Sequence, residues 1–193
     1  MQICTDDSLH TQASVLVLGM FDGVHLGHQA LMDTARKLAD QWSVPMVVMT
    51  FDRHPLRLIA PAMAPPMLTT PQERLELIRA HGADVVCISP FTQEVREIIP
   101  ETYVEMLIKR WHPKAIVVGF NYSFGKHGAG TPDLMKALGA AAGFETVVIP
   151  EVRIDGQPVN STRIRKLLAE GDVQAAEKLL GHAFHGGFHL TKP

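Results

Sequence analysis

Short runs of apolar, largely β-branched residues recur along the chain at 14–20 (SVLVLGM), 44–51 (VPMVVMTF), 84–89 (DVVCIS), 115–120 (AIVVGF) and 145–149 (ETVVI). Their apolar residues are continuous rather than alternating, as in a strand whose sheet is covered on both faces. Amphipathic segments of helical period lie between them. A strand-then-helix order of this kind requires a parallel sheet with helical crossovers, because parallel neighbours need a long connection and both sheet faces need covering. The expected fold is α/β, with a doubly wound parallel sheet of about five strands and helices on both faces.

Helix starts are marked locally. Thr70-Pro71-Gln72-Glu73 offers a capping Thr, a Pro at the first helical position and a Glu three residues after the cap; Thr131-Pro132-Asp133 repeats the Thr-Pro device. Helices are predicted over 71–81 and 132–142. The segment 52–69 contains Pro55, Pro61, Pro65 and Pro66 without periodicity, and reads as an ordered loop over one end of the sheet. A chain of 193 residues is long enough for one sizeable domain, expected here over 1–184. The stretch from His182 has no pattern, and 185–193 reads as a tail or severed linker.

Composition narrows the function. A net charge of −2 argues against a broad nucleic-acid footprint, so any anion site must be local. Cys4 and Cys87 are too few for a disulfide framework or a four-cysteine zinc site. The N-terminus MQICTDDSLH has no basic region followed by an apolar run, and no apolar stretch reaches the ~20 residues of a membrane span. A reduced, cytoplasmic protein with neither membrane nor nucleic-acid partners is the expectation; the oligomeric state is left open.

The most informative segment is Gly19-Met20-Phe21-Asp22-Gly23-Val24-His25-Leu26-Gly27-His28, which follows the first strand and opens a helix running to about Trp42. That is the carboxyl end of a strand, where doubly wound sheets bind ligands. A helix start presents unpaired N–H groups and partial positive charge, favourable for phosphate. Gly23 and Gly27 let backbone approach an anion closely. His25 and His28 share one face of the first turn, suited to charge that builds on a phosphate during transfer. Such a histidine pair alone is more commonly surface or core furniture, and also matches half a metal site.

A second segment, Val159-Asn160-Ser161-Thr162-Arg163-Ile164-Arg165, opens a helix after the fifth strand and a short turn at Asp155-Gly156. Ser161 and Thr162 hydroxyls with helix-start N–H groups suit phosphate oxygens, and Arg165 suits bidentate pairing with them; an ordinary N-cap gives the same pattern. Thr50-Phe51-Asp52-Arg53-His54-Pro55 ends the second strand and Gly119-Phe120-Asn121-Tyr122-Ser123-Phe124-Gly125 the fourth. Asn121 reads equally as a turn residue. Phe21, Phe51, Phe120, Tyr122 and Phe124 read first as core.

These four segments carry a resemblance. The string FDGVHLGH resembles the signature of the HxGH nucleotidyltransferase superfamily, with its Rossmann-like sheet, and is most similar to the bacterial FAD synthetases. The Ser161-Thr162 pair followed by Arg165 is similar to the superfamily's second phosphate motif, with Asn160 where many relatives have Ser. TFDRHP resembles the family's TFDPHP, with Arg53 replacing Pro, and GFNYSFG its VGxNFxFG segment. The resemblance implies FMN adenylyltransferase activity, with AMP passing from MgATP to FMN to give FAD and pyrophosphate. It implies catalytic roles for His25, His28 and Arg165. Gly19, Phe21, Asp22, Gly23, Gly27, Asn121, Ser161 and Thr162 would bind ATP, and Phe51, Asp52, His54, Pro55 and Tyr122 the flavin. Mg²⁺ would be held through phosphates, with no protein ligand assigned. Family members usually continue into a riboflavin kinase domain; this chain stops after Leu180-Gly181, so it is expected to use FMN but not to make it.

Three other readings stand beside this one. A nucleotidyltransferase with another phosphorylated acceptor shares the motifs. A flavin- or nucleotide-binding module would bind without releasing pyrophosphate. A nicotinamide-dependent oxidoreductase shares the architecture, but Gly19, Gly23 and Gly27 are four apart rather than in Gly-x-Gly-x-x-Gly spacing.

Overall fold

The computed structural model describes residues 1–5 and 9–186; of the segment read as a tail, 187–193 lies outside the described residues. The strands β1 (Gln2–Cys4), β2 (Ser14–Leu18), β3 (Met46–Phe51), β4 (Val85–Ser89), β5 (Pro113–Gly119) and β6 (Glu145–Ile149) form one parallel sheet in the order β1-β4-β3-β2-β5-β6. Around it run α1 (Leu26–Trp42), α2 (Leu56–Ile59), α3 (Pro71–Ala80), α4 (Gln93–Arg96), α5 (Pro100–Trp111), α6 (Pro132–Ala142), α7 (Ser161–Ala169) and α8 (Val173–Leu180). The α/β class and the helices on both faces agree with expectation. The sheet has six strands rather than about five, because β1 pairs with β4 at one edge. Only Cys4 of β1 is buried while Ile3 is 52% exposed, so this strand leaves no apolar run to read.

Burial explains why the central strands are apolar throughout. All five residues of β2 are buried. Val15 and Val17 face one core with Leu31, Met32, Ala35 and Ala39 of α1 and Ile78 of α3. Leu16 and Leu18 face the other, with Val104, Leu107 and Trp111 of α5 and Met135 of α6. Each Val, Leu, Ile or Met among them contributes about 1.5–3 kcal/mol when fully buried. A third cluster joins Leu68 to Val159, Ile164, Leu168 and the apolar face of α8. It fastens the last two helices beside the loop that precedes α3.

The caps behave as written in the sequence. Thr70 accepts from the Glu73 amide while Glu73 accepts from the Thr70 amide, a complete capping box, and Thr131 accepts from the Leu134 amide. Asp155 and Gly156 both have positive φ, 54° and 73°, as a two-residue hairpin turn requires. They join β7 (Arg153–Ile154) to β8 (Gln157–Pro158), an antiparallel pair. The proline-rich loop is ordered as expected, and it holds helical turns that its sequence does not show. It contains the single turn α2 and a 3₁₀ turn at Pro61–Met63, and the His54 ring accepts from the Leu56 amide at 3.1 Å. A one-turn helix is too short to show a period.

From β2 the chain proceeds outward to β3 and β4, then returns to the other side for β5 and β6. The order reverses between β2 and β5, which opens a crevice beyond their carboxyl ends.

Candidate functional site

The crevice is a cleft of about 1360 Å³, larger than the ~300–1,000 Å³ of a typical single-ligand pocket. It is floored by the ends of β2 and β5 and walled by the starts of α1 and α7. His25, His28, Gly19, Asp22, Gly27, Asn121, Ser161, Thr162 and Arg165 line it, as do Phe51, His54, Pro55 and Tyr122. Phe21, Gly23 and Asp52 do not. Phe21 is fully buried beneath the His28 ring, with centroids 5.1 Å apart. Gly23 has φ 78° and no room for a Cβ, which would stand 2.8 Å from Leu68 Cδ1. Asp52 accepts from the Phe91 amide at 3.0 Å and pairs with Arg53, steadying the loop whose Phe91 packs edge-on against Phe51.

His25 is the N-cap of α1, and its Nδ1 accepts from the His28 amide at 3.4 Å. An accepting Nδ1 leaves the ring proton on Nε2. The His25 and His28 rings stack with centroids 3.8 Å apart and planes 13° from parallel. Gly27 permits this: a Cβ there would stand 3.1 Å from the His25 ring. Burial, aided by the charge of Arg165, lowers the His25 pKa from 6.5 to about 4. Burial and then His25 hold His28 well below its ordinary value. Both rings are therefore neutral near pH 7, and the buried Nδ1 of His28 has no hydrogen-bond partner among the described residues.

Asp22 is the hub of the site. Its carboxylate accepts from the amides of Leu68 at 2.8 Å and Thr69 at 3.3 Å, and it forms an ion pair with Arg165. Arg165 Nε also donates to the Pro66 carbonyl at 2.8 Å. Ser161 Oγ donates to the Asp22 carbonyl at 3.2 Å, so that hydroxyl proton joins the two helix starts instead of facing solvent. Asn160, not Ser161 or Thr162, is the N-cap of α7, accepting from the Arg163 amide at 2.8 Å. The second motif is thus both an ordinary cap and a lining of the cleft.

Phe120 departs from the core reading: it is 49% exposed, because β5 ends at Gly119 and the next residue turns out at the cleft rim. Phe21 and Phe124 are buried, and Tyr122 is half-buried with its hydroxyl 3.3 Å from that of Tyr103. Burial raises the pKa of both tyrosines, which stay neutral. Asn121 is exposed at the mouth.

Arg74 was not legible as a site residue. It is 3% exposed and donates to the carbonyls of Met20 at 3.2 Å and Phe51 at 3.0 Å, bracing the ends of β2 and β3. Thr50 Oγ1 adds a bond to the same Met20 carbonyl at 2.9 Å. The available signal is its place four residues before Ile78 on the buried stripe of α3, where a cation needs a reason.

Comparison with known proteins gives consistent relatives. The family model described as FAD synthetase matches residues 7–163. The bifunctional riboflavin kinase/FMN adenylyltransferase of Listeria monocytogenes is 34% identical over 88% of this chain and 54% of that protein. Its counterpart in Bacillus subtilis is 32% identical over 89% of this chain and 54% of that protein. The chain therefore spans about half the length of these curated relatives. A solved structure named as a macrolide-efflux protein from Streptococcus pneumoniae superposes with a TM-score of 0.83 at 31% identity, covering 94% of this chain and 60% of that one. Among the described residues no helix is long and apolar enough to cross a membrane.

Proposed function

This chain belongs to the FAD synthetase family, and on that premise we propose that it is an FMN adenylyltransferase, joining the AMP part of ATP to the 5′-phosphate of FMN. The observation that carries the reading is the meeting of α1 and α7 on Asp22, through Arg165 and the Ser161 hydroxyl. Two helix starts with their N–H groups and partial positive charge thereby adjoin at one end of the sheet, as a single triphosphate needs. The cleft volume of about 1360 Å³ leaves room for a second, flavin-sized ligand.

In the proposed reaction a phosphate oxygen of FMN attacks the α-phosphorus of ATP in line. The new P–O bond forms as the bond to the α,β-bridging oxygen breaks, and pyrophosphate leaves with that oxygen. No covalent enzyme intermediate is needed, so the protein acts by positioning and electrostatics. His25 and His28 meet the α- and β-phosphate oxygens as N–H donors, while Thr162, Arg165 and the α7 amides hold the β and γ end. A polyphosphate beside the rings favours their charged forms, so positive charge grows there as the substrate binds. Phe51, His54, Pro55 and Tyr122 line the cleft, and to them we assign the flavin.

Magnesium enters as part of the substrate MgATP. In this reading the ion is held through phosphate oxygens, with no protein ligand assigned to it. Residues 1–184 form the proposed catalytic unit, and the buried cysteines Cys4 and Cys87, too few for a disulfide framework, favour a cytoplasmic setting.

The test is to incubate the chain with MgATP and either FMN or riboflavin and to resolve the flavins by chromatography. FAD from FMN, and none from riboflavin, is expected. Absence of FAD and of pyrophosphate release with FMN would overturn the reading, and release with another phosphorylated acceptor would redirect it.

A further inference from the structure

The turn that delivers His25 is conformationally costly. Gly23 has φ 78° and Val24 φ 38°, and the left-handed region is strained for a β-branched residue. Such a backbone persists only where its surroundings over-determine it. Here each of the two carbonyls is held by a side chain. Gln29 Nε2 donates to the Val24 carbonyl at 2.9 Å and to the Leu180 carbonyl at 2.7 Å. His182 Nε2 lies 2.9 Å from the Gly23 carbonyl and its Nδ1 2.9 Å from the Ala183 carbonyl; a carbonyl only accepts, so the bond to Gly23 is made by the ring carrying its N–H on Nε2.

The far side of this arrangement is moulded to fit. Leu180 is buried, with its Cδ2 3.2 Å from where a Cβ on Gly23 would stand. Gly181 has φ 75°, and a Cβ there would stand 2.6 Å from Leu26 Cδ2. The end of α8 is thus seated on the start of α1, though 151 positions separate Gln29 from Leu180. None of Gln29, Leu180 and His182 lines the cleft. Whatever they do for the site passes through the turn.

We propose that His182 and Gln29 are positioning residues that fix the Gly23–Val24 turn and hence the place of the stacked His25 and His28 rings. The role rests on the adenylyl-transfer reading, since it is there that ring placement matters. It assigns a task to a histidine that the sequence leaves in an unpatterned C-terminal stretch.

The experiment compares His182→Ala and His182→Gln with wild type in the full 193-residue chain. A Gln amide places an N–H donor close to where Nε2 stands. Two readouts are taken: the imidazole NMR signals of His25 and His28, and kcat with KM for FMN. In His182→Ala both ring signals move and kcat falls roughly ten- to hundredfold, the scale of a small misplacement of catalytic groups. KM for FMN is unchanged, and His182→Gln restores signals and turnover. Gln29→Leu shifts the same signals and serves if the alanine variant does not fold. Ring signals at wild-type positions in a folded His182→Ala or Gln29→Leu overturn the proposal, as does a loss of kcat that Gln fails to restore. If the wild-type chain forms no FAD, the reaction reading fails while the ring signals still decide the positioning role.

Discussion

Asp22 and Arg165, 143 positions apart, form an ion pair that ties the loop before α1 to the first turns of α7. Asp22 is 3% exposed at its side chain and Arg165 14%. Removing one partner of a buried pair costs about 3–5 kcal/mol, because the other charge is left uncompensated. Asp22→Ala is expected to lose that much stability, since the Leu68 and Thr69 amides lose their acceptor as well. Urea unfolding checks this as a lower midpoint at unchanged m. A wild-type midpoint would mean that the hub is dispensable.

Stability should fall as the pH is lowered through the histidine range. In the unfolded chain His25 takes up its proton near 6.5, whereas the folded chain waits until about 4. Between those values the unfolded state binds more protons, so stability is fully present above 6.5 and drains away as pH falls toward 4. For His25 the loss across the window approaches about 3 kcal/mol, and His28, depressed by the same burial, adds to it. Denaturation at stepped pH should show this slope, and His25→Asn should flatten it. An equal slope in the variant would contradict the burial account.

His28 should matter to turnover and not to the fold. Its buried Nδ1 lacks a partner among the described residues, and an unsatisfied buried group costs about 1–3 kcal/mol. His28→Leu is expected to keep or raise the unfolding midpoint. Its kcat should fall roughly 10²–10³-fold, the scale of a lost oxyanion-type donor. Wild-type turnover in that variant would remove His28 from the reaction.

Arg74 braces two strand ends from one buried position. Arg74→Met keeps length and apolar packing but strips donors from the Met20 and Phe51 carbonyls. Because Thr50 Oγ1 still donates to the Met20 carbonyl, a stability loss of about 1–3 kcal/mol is expected, on the scale of one buried group losing its partner. Arg74→Lys should lose less, retaining the charge that lies near Asp22 and Asp52. Calorimetric melting of the pair separates donor geometry from charge: equal losses would mean that the charge plays no part.

Much of this was legible along the chain. The runs at β2 to β6 were readable because both faces of the sheet are covered, and Thr70 and Thr131 because a cap is a dialogue among four consecutive residues. The segments that carried the family resemblance do line one cleft. Less was readable about what each residue does there. Gly27 makes room for the His25 ring, where proximity to a phosphate was the natural expectation. Phe120 looked like core from its composition, yet it lies one residue past a strand end and faces the cleft.

What the sequence determined by itself is what short-range physics controls: the alternation of strand and helix, the helix starts, the short turn at Asp155-Gly156, and the strand end at which the site must lie. The tertiary structure alone decided that Asp22 meets Arg165, that Ser161 reaches the Asp22 carbonyl, and that His182 reaches Gly23. Those partners are 139 to 159 positions apart. Their meeting is set by the order of strands and the packing of crossovers, and no local pattern of residues encodes it.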